Sequence, residues 1–77
     1  MTPEDINVAV GKTLNARRRE LGLSLAYVSS RCGVSLQQIH KYETGQSPLS
    51  VPMLVRLGRC LGMRATDFLR DVDELSD

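Results

Sequence analysis

Residues 24–45 read SLAYVSSRCGVSLQQIHKYETG, and this stretch decides the fold of the chain. Ser24 and Ser35 each precede a short amphipathic segment, where a serine hydroxyl can accept a hydrogen bond from a free N–H of the first helical turn. Gly33 lies between the two segments, at a position where a helix end commonly needs a left-handed residue. The stretch therefore predicts a helix, a turn of about three or four residues and a second helix.

The two predicted helices cover residues 25–32 and 36–43. In each of them, apolar residues recur three or four positions apart, which places them on one face of a helix. That face is expected to pack inward. Its members are Val28, Cys32, Ile39 and Tyr42.

The second helix carries polar residues on the opposite face. With Ile39 as the inward direction and about 100° per residue, Gln37 and Lys41 point outward, and Gln38 and His40 flank them. Glutamine suits adenine and lysine suits guanine in a major groove. A merely solvated helix more often carries Glu–Lys pairs, and these four positions include no acid. We therefore expect them to contact DNA bases.

The ends of the second helix supply further candidates for DNA contact. Leu36, at its start, is assigned either to a thymine methyl group or to the edge of the core, and Ser35 to a phosphate. Gly and Pro mark the following segment as a loop, and its backbone with the side chains of Thr44, Gln46 and Ser47 is expected to follow the phosphates. This loop has no lysine or arginine, which predicts weak non-specific affinity and a shallow salt dependence.

The stretch resembles the helix-turn-helix of the Xre and phage lambda repressor-like family. With Leu25 as the first motif position, Ser29, Gly33 and Ile39 occupy the positions where the family has a small residue, a glycine and a branched apolar residue. The ending KYETG, residues 41–45, also matches the family pattern. The resemblance implies an all-α fold, a compact five-helix domain with the helix-turn-helix as helices 2 and 3. Two departures are a serine in place of the commoner alanine and Leu25 in place of a phosphate-contacting glutamine.

The resemblance also implies one ion pair. Arg18 lies at the position of a family arginine that reaches the glutamate closing the second helix of the motif, here Glu43. We expect a partly buried Arg18–Glu43 pair whose role is mainly structural.

Flanking segments predict three more helices. Thr2 and Pro3 begin helix 1, which runs to about Leu21; Ser50 caps helix 4; and Thr66 begins helix 5. An interior glycine of helix 4, Gly58, suggests a close helix–helix approach. The apolar residues expected in the core from these helices are Ile6, Val10, Leu14, Leu21, Met53, Leu54, Leu57, Cys60, Leu61 and Phe68.

The chain of 77 residues is expected to form one domain over residues 1–72 and an acidic tail over 73–77. Nine Lys or Arg against four Asp or Glu give residues 1–64 a charge of +5, and one Arg against five acids gives residues 65–77 a charge of −4. A basic body with an acidic tail suits a protein that meets phosphates on one face, although an ordinary solvated surface fits equally well. Leu69, Val72 and Leu75 form either a self-association patch or the edge of the core.

Other classes of function find little support. The two cysteines, Cys32 and Cys60, fit small buried hydrophobic residues, and one histidine leaves a zinc site short of ligands. No signal peptide or membrane span is recognisable, so a soluble, cytoplasmic protein is expected. No cofactor motif and no catalytic spacing is present, so we do not expect an enzyme.

Two functions are consistent with these features of the sequence. The first is a sequence-specific regulator of transcription, a repressor or autoregulator that binds double-stranded DNA as a homodimer on a palindromic operator, alone or with a regulatory protein partner. The alternative is a protein-interaction module of the same fold that has lost DNA binding, which Leu25 and the cation-poor loop favour.

Overall fold

A computed structural model describes residues 1–70 and 72, and its described elements are all helical. Four α-helices are followed by a short 3-10 helix. They are α1 (Pro3–Glu20), α2 (Leu25–Cys32), α3 (Leu36–Thr44), α4 (Val51–Leu61) and the 3-10 helix (Ala65–Leu69).

Serines begin three of these helices and glycines end them. Each capping hydroxyl accepts a hydrogen bond from the backbone N–H three residues on, which satisfies one of the free donors of the first turn. Each glycine has a positive φ, a conformation that costs glycine little. The pairs are Ser24 with Gly33 for α2, Ser35 with Gly45 for α3, and Ser50 with Gly62 for α4. Local sequence therefore sets the ends of these helices.

The core forms where the five helices meet. Phe68, on the 3-10 helix, is fully buried and packs beneath α4 and α1. Other buried side chains come from every α-helix, as the apolar spacing predicts. They are Val10, Leu14, Val28, Cys32, Ile39, Leu54, Leu57 and Leu61.

The predicted end of helix 1 is wrong in one respect. Leu21 is not in the core: it follows α1 as the C-cap residue and is 41% exposed. Gly22 then turns the chain through a left-handed conformation, so that Leu23 packs against the core instead.

The predicted fifth helix is also different in the structure. It begins at Ala65 rather than Thr66 and is a 3-10 helix as far as Leu69, with helical geometry at Arg70 and Val72. Asp67 fixes its first turn, because its carboxylate accepts a hydrogen bond from the Arg64 N–H (2.9 Å). Leu75 and the acidic tail lie outside the described residues.

Position 58 requires glycine because a backbone segment packs closely against it, but that segment is the chain after α4 and not another helix. A Cβ at this position would overlap the carbonyl oxygen of Met63. The chain that leaves α4 therefore turns back over Gly58, and the Met63 N–H donates to the Gly58 carbonyl oxygen (2.8 Å).

The two thiols lie where α2 faces α4. Cys32 is buried, Cys60 is half-buried, and both are free. Burial and the neighbouring Cys60 thiol raise the pKa of Cys32, so Cys32 stays protonated at neutral pH. None of the described helices could serve as a membrane span.

Candidate nucleic-acid interface

The inner face of α3 is fixed against α1 and α2. Ile39 is fully buried, Tyr42 is half-buried against the core, and Glu43 is only 8% exposed. A buried carboxylate is costly unless it is paired and hydrogen-bonded. The partners of Glu43 therefore decide how firmly α3 is held.

Glu43 accepts three hydrogen bonds from side chains of α1. Arg18 donates from Nε to Oε2 (2.6 Å) and from its terminal Nη2 to Oε1 (3.0 Å), so the ion pair expected from the resemblance is present and bidentate. Asn15 donates its amide N–H to Oε1 (2.7 Å). Arg18 also donates to the Leu23 carbonyl oxygen (2.8 Å), which ties the α1–α2 turn to the same group.

These hydrogen bonds favour the charged form of Arg18. The hydrogen bonds to Glu43 raise the pKa of Arg18, and its burial opposes that rise only partly. The side chains of Arg18 and Glu43 are 11% and 4% exposed. Bidentate arginine–carboxylate pairs fix orientation as well as distance, so the pair sets the angle at which α1 holds the end of α3.

Gly11, which lies about two turns before Arg18 on α1, brings the backbones of the two helices together. A Cβ on Gly11 would overlap the Tyr42 carbonyl oxygen and would lie 2.6 Å from that of Glu43. Gly11 is buried. Only a residue without a side chain lets α1 approach the end of α3 this closely.

The polar side chains on the outer face of α3 form no hydrogen bonds within the described part of the chain. Gln37, His40 and Lys41 are exposed, Leu36 is 41% exposed, and Gln38 is half-buried. None of these side chains forms a hydrogen bond or an ion pair with another described residue. The amide, imidazole and ammonium groups on this face therefore have their hydrogen-bonding capacity available for an external partner.

The candidates for phosphate contact differ in what they can offer. Ser35 is exposed, but its Oγ accepts the Gln38 N–H as a helix cap (3.1 Å). This leaves its own hydroxyl proton for a phosphate. The Thr44 hydroxyl lies 3.1 Å from the His40 carbonyl oxygen, to which it donates. Since a phosphate only accepts hydrogen bonds, the Thr44 hydroxyl proton must turn away from the His40 carbonyl oxygen before it can donate to one.

In the loop after α3, side chains rather than the N–H groups of Gln46 and Ser47 are available for phosphate contact. The backbone N–H groups of Gln46 and Ser47 both donate to the Lys41 carbonyl oxygen, at 2.9 and 3.3 Å. The Gln46 side chain is exposed, whereas Ser47 is half-buried beside Leu49 and Leu54 in a small cleft. These two N–H groups are therefore already bonded within the chain and are not free to donate to phosphates, as the expectation for the backbone of this loop requires.

A cleft of about 340 Å³, which we call the α1–α3 cleft, opens beside the outer face of α3. Its walls come from α1, the start of α2 and α3. It is lined by Lys12, Asn15, Arg18, Arg19, Leu25, His40, Glu43 and Thr44.

A second cleft, the α2–α4 cleft, lies at the other end of α2 and has a volume of about 420 Å³. Arg31 here stacks on Tyr27, with its guanidinium carbon 5.6 Å from the ring centroid. No residue of α3 contributes to it. It is lined by Ser30, Arg31, Cys32, Gly33, Arg56, Arg59 and Cys60.

Sequence reasoning did not single out Gly11, Lys12 or Asn15. Asn15 lies three residues before Arg18 on α1, and this i,i+3 spacing is a signal that both side chains can reach one partner. The role of Gly11 depends on the distance between two backbones, which has no local sequence signal.

Comparison with known proteins identifies the family. A family model described as a helix-turn-helix domain matches residues 9–71. The chain therefore belongs to the helix-turn-helix domain family, as its resemblance to Xre and lambda repressor-like proteins indicates.

Relatives and solved structures agree with this assignment. A transcriptional regulator in the ATPase CF(0) region of Rhodospirillum rubrum is 32% identical over 94% of this chain and 67% of its own length. An HTH-type transcriptional regulator of Sinorhizobium medicae is 30% identical over 90% of this chain. The chain spans about half the length of that relative and of a similar one from Rhizobium meliloti. The structure of the clp gene regulator ClgR from Corynebacterium glutamicum, at 22% identity, superposes with a TM-score of 0.83 over 92% of this chain and 94% of its own, and so shows the same fold.

Proposed function

We propose that this protein is a sequence-specific, double-stranded DNA-binding regulator of transcription that inserts α3 into the major groove. The observation that carries the proposal is the contrast within α3. Its inner face is held by buried packing and by a bidentate ion pair, whereas its outer polar face has no described partner. A rigid helix with unused donors and acceptors suits direct reading of base edges.

Base reading falls to the outer face. Gln37 and Lys41 carry sequence information, glutamine through a bidentate pair with adenine and lysine through the acceptors of guanine. Gln38 and His40 contact bases at the sides of the groove, and Leu36 meets a thymine methyl group. Exposure of Leu36 supports this role over a place at the core edge.

Phosphate contacts set the register of the helix in the groove. Ser35 donates its hydroxyl proton at the leading end, and the side chains of Gln46, Thr44 and Ser47 lie along the opposite strand. Since the described loop side chains at these positions are uncharged, specific hydrogen bonds rather than counterion release dominate this side of the interface.

Two copies of the chain read a palindromic operator, with half-site centres about one helical turn apart. The self-association patch includes Leu69 and Val72, which are both half-buried against the core. Because part of each side chain is already covered, the patch offers limited apolar area, and we expect a dimer weak enough for DNA binding to respond to protein concentration or to a regulatory protein partner. Binding at such an operator gives repression or autoregulation.

The test is selection of bound duplexes from a random DNA pool, at about 0.15 M salt to suppress purely electrostatic binding. We expect enrichment of an inverted repeat with half-site centres about one turn apart. Enrichment of a single half-site would contradict the dimer but leave the regulator in place. No enrichment by a folded protein would overturn the proposal in favour of the protein-interaction module.

A further inference from the structure

The first residue of α2 has no polar side chain that could bind a phosphate. Leu25, its first residue, is half-buried and packs against the core. The Leu25 side chain cannot hydrogen-bond to DNA, and α2 has no cation in its first turn, so positive charge that anchors the DNA backbone near this end of α2 must come from a neighbouring element. The neighbour is α1, which forms the opposite wall of the α1–α3 cleft.

The α1–α3 cleft holds two positive charges that no described residue neutralises. Glu43 supplies the only carboxylate among its described lining residues, and it is already paired with Arg18 and hydrogen-bonded to Asn15. Lys12 and Arg19 are exposed, and the side chain of neither one bonds to another described residue. The cleft therefore has a surplus of two cations.

The spacing of these two cations suits a nucleic-acid strand. Lys12 and Arg19 are seven residues apart, so they lie on the same side of α1 and are separated by about 10 Å along its axis. A duplex carries a phosphate about every 3.4 Å of axis on each strand. The two side chains are thus far enough apart to contact two different phosphates.

The cleft also lies on the side where such a strand would pass. His40 and Thr44, on α3, form its other wall, and His40 directly precedes Lys41 on the outer face. When α3 enters a groove, one of the two strands that border the groove lies alongside this wall.

We propose that the α1–α3 cleft is a DNA-backbone site in which Lys12 and Arg19 each neutralise a phosphate next to the groove that α3 reads. The proposal rests on the proposed function and adds a non-specific electrostatic anchor to it. Lys12 and Arg19 supply, from α1, a side-chain anchor that the Leu25 side chain cannot supply from α2.

The experiment compares salt dependence between two double variants. Lys12→Gln/Arg19→Gln removes two charges from the α1–α3 cleft. Arg56→Gln/Arg59→Gln removes two charges from the α2–α4 cleft, which has no α3 residue, and is the matched control. Affinity for the selected duplex and for a scrambled duplex is measured at several salt concentrations, with melting temperatures recorded to show that both variants are folded.

For Lys12→Gln/Arg19→Gln we expect the slope of log K against log salt to become shallower by roughly 1.8, about 0.9 for each lost phosphate contact. Both duplexes should lose affinity by the same factor. Lys12→Arg/Arg19→Lys keeps both positive charges and should therefore keep the wild-type slope. The Arg56→Gln/Arg59→Gln control should keep the wild-type slope.

Equal slopes for wild type and Lys12→Gln/Arg19→Gln would overturn the cleft assignment and leave the proposed function standing. An equal change of slope in the control would overturn it too, since the effect would then follow net charge rather than position. A folded wild-type protein that binds neither duplex would overturn the proposed function, and the cleft assignment with it.

Discussion

The two faces of α3 differ in what their polar side chains bind. The inner face ends in Glu43, which receives three hydrogen bonds from α1 and is almost fully buried. The outer face carries Gln37 and Lys41, which are exposed and have no described partner. One nine-residue helix therefore has one face committed to the fold and another available for binding.

This contrast separates stability from binding. A helix as short as α3 is marginal in isolation, so its conformation depends on the contacts of its inner face. Substitutions on that face should lower the free energy of unfolding, whereas substitutions on the outer face should change only affinity. The predictions below test this separation, beginning with the largest expected effect.

Glu43→Ala should destabilise the protein most. It leaves Arg18 without its partner in a poorly solvated site, a loss of about 3–5 kcal/mol when a buried pair is broken from one side. In a domain of this size each kcal/mol shifts Tm by about 4–8 °C. Thermal unfolding followed by circular dichroism measures the change.

The matched control is Arg18→Met/Glu43→Leu, which removes both charges. Apolar replacement of a whole buried pair is often neutral or stabilising, so the double variant should be more stable than Glu43→Ala. An unchanged Tm in Glu43→Ala would show that the pair does not hold α3.

Gly11→Ala should also destabilise the inner face, by about 1–3 kcal/mol for overpacking. The added methyl group would meet the backbone carbonyl oxygens of Tyr42 and Glu43, which cannot rotate away as a side chain would. Denaturant unfolding gives the free energy. Ala9→Gly, on the same helix, is a control for propensity, since glycine in a helix costs about 0.5–1 kcal/mol relative to alanine for reasons unrelated to this contact.

If Gly11→Ala were as stable as wild type, or more stable, α1 and α3 would not approach each other at this point. The same result would weaken the account of how α1 orients the end of α3.

Lys41→Ala should leave Tm unchanged and weaken binding to the selected duplex by roughly 1–3 kcal/mol. Its ammonium group has no described partner to lose in the free protein. Fluorescence anisotropy with the selected and scrambled duplexes measures the effect. An equal loss on both duplexes would assign Lys41 to phosphate contact, and no loss on either would remove it from the interface.

The smallest effect is expected far from either face of α3. At the start of α1, the Thr2 N–H donates to the Asp5 carboxylate (3.0 Å), and this hydrogen bond lowers the pKa of Asp5 below its ordinary value of 3.8. Because the pKa of Asp5 is lower in the folded state, its carboxylate stabilises the protein at pH values above the ordinary pKa. This stabilisation is lost as the pH falls through the lowered pKa of the folded state. Tm measured at several pH values should therefore show a small deficit of Asp5→Asn at neutral pH that disappears in acid. A deficit that grew in acid would contradict the assignment.

Much of the fold could be predicted because its signals are local. The serine caps and left-handed glycines that bound α2, α3 and α4 depend on a few neighbouring residues, and the apolar spacing depends on helical geometry alone. Leu21 was misplaced for a related reason: it continues the periodicity of α1, but Gly22 ends the helix and directs Leu23 inward instead.

Tertiary features were harder to predict. The Arg18–Glu43 pair was expected only from resemblance, because the two residues are 25 positions apart. The contributions of Gly11 and Asn15 depend on how closely two helices approach, and the unpaired charges of Lys12 and Arg19 are evident only once Glu43 is seen to be occupied. The roles of the outer-face residues remain predictions.

The most direct test of the central claim is amide chemical-shift mapping of the protein on titration with the selected duplex. The account predicts the largest shifts at residues 35–41 of α3 and its cap and at the rim of the α1–α3 cleft, with little change around Arg56 and Arg59 in the α2–α4 cleft. Shifts concentrated in the α2–α4 cleft, with α3 unaffected, would contradict the claim that the outer face of α3 reads DNA.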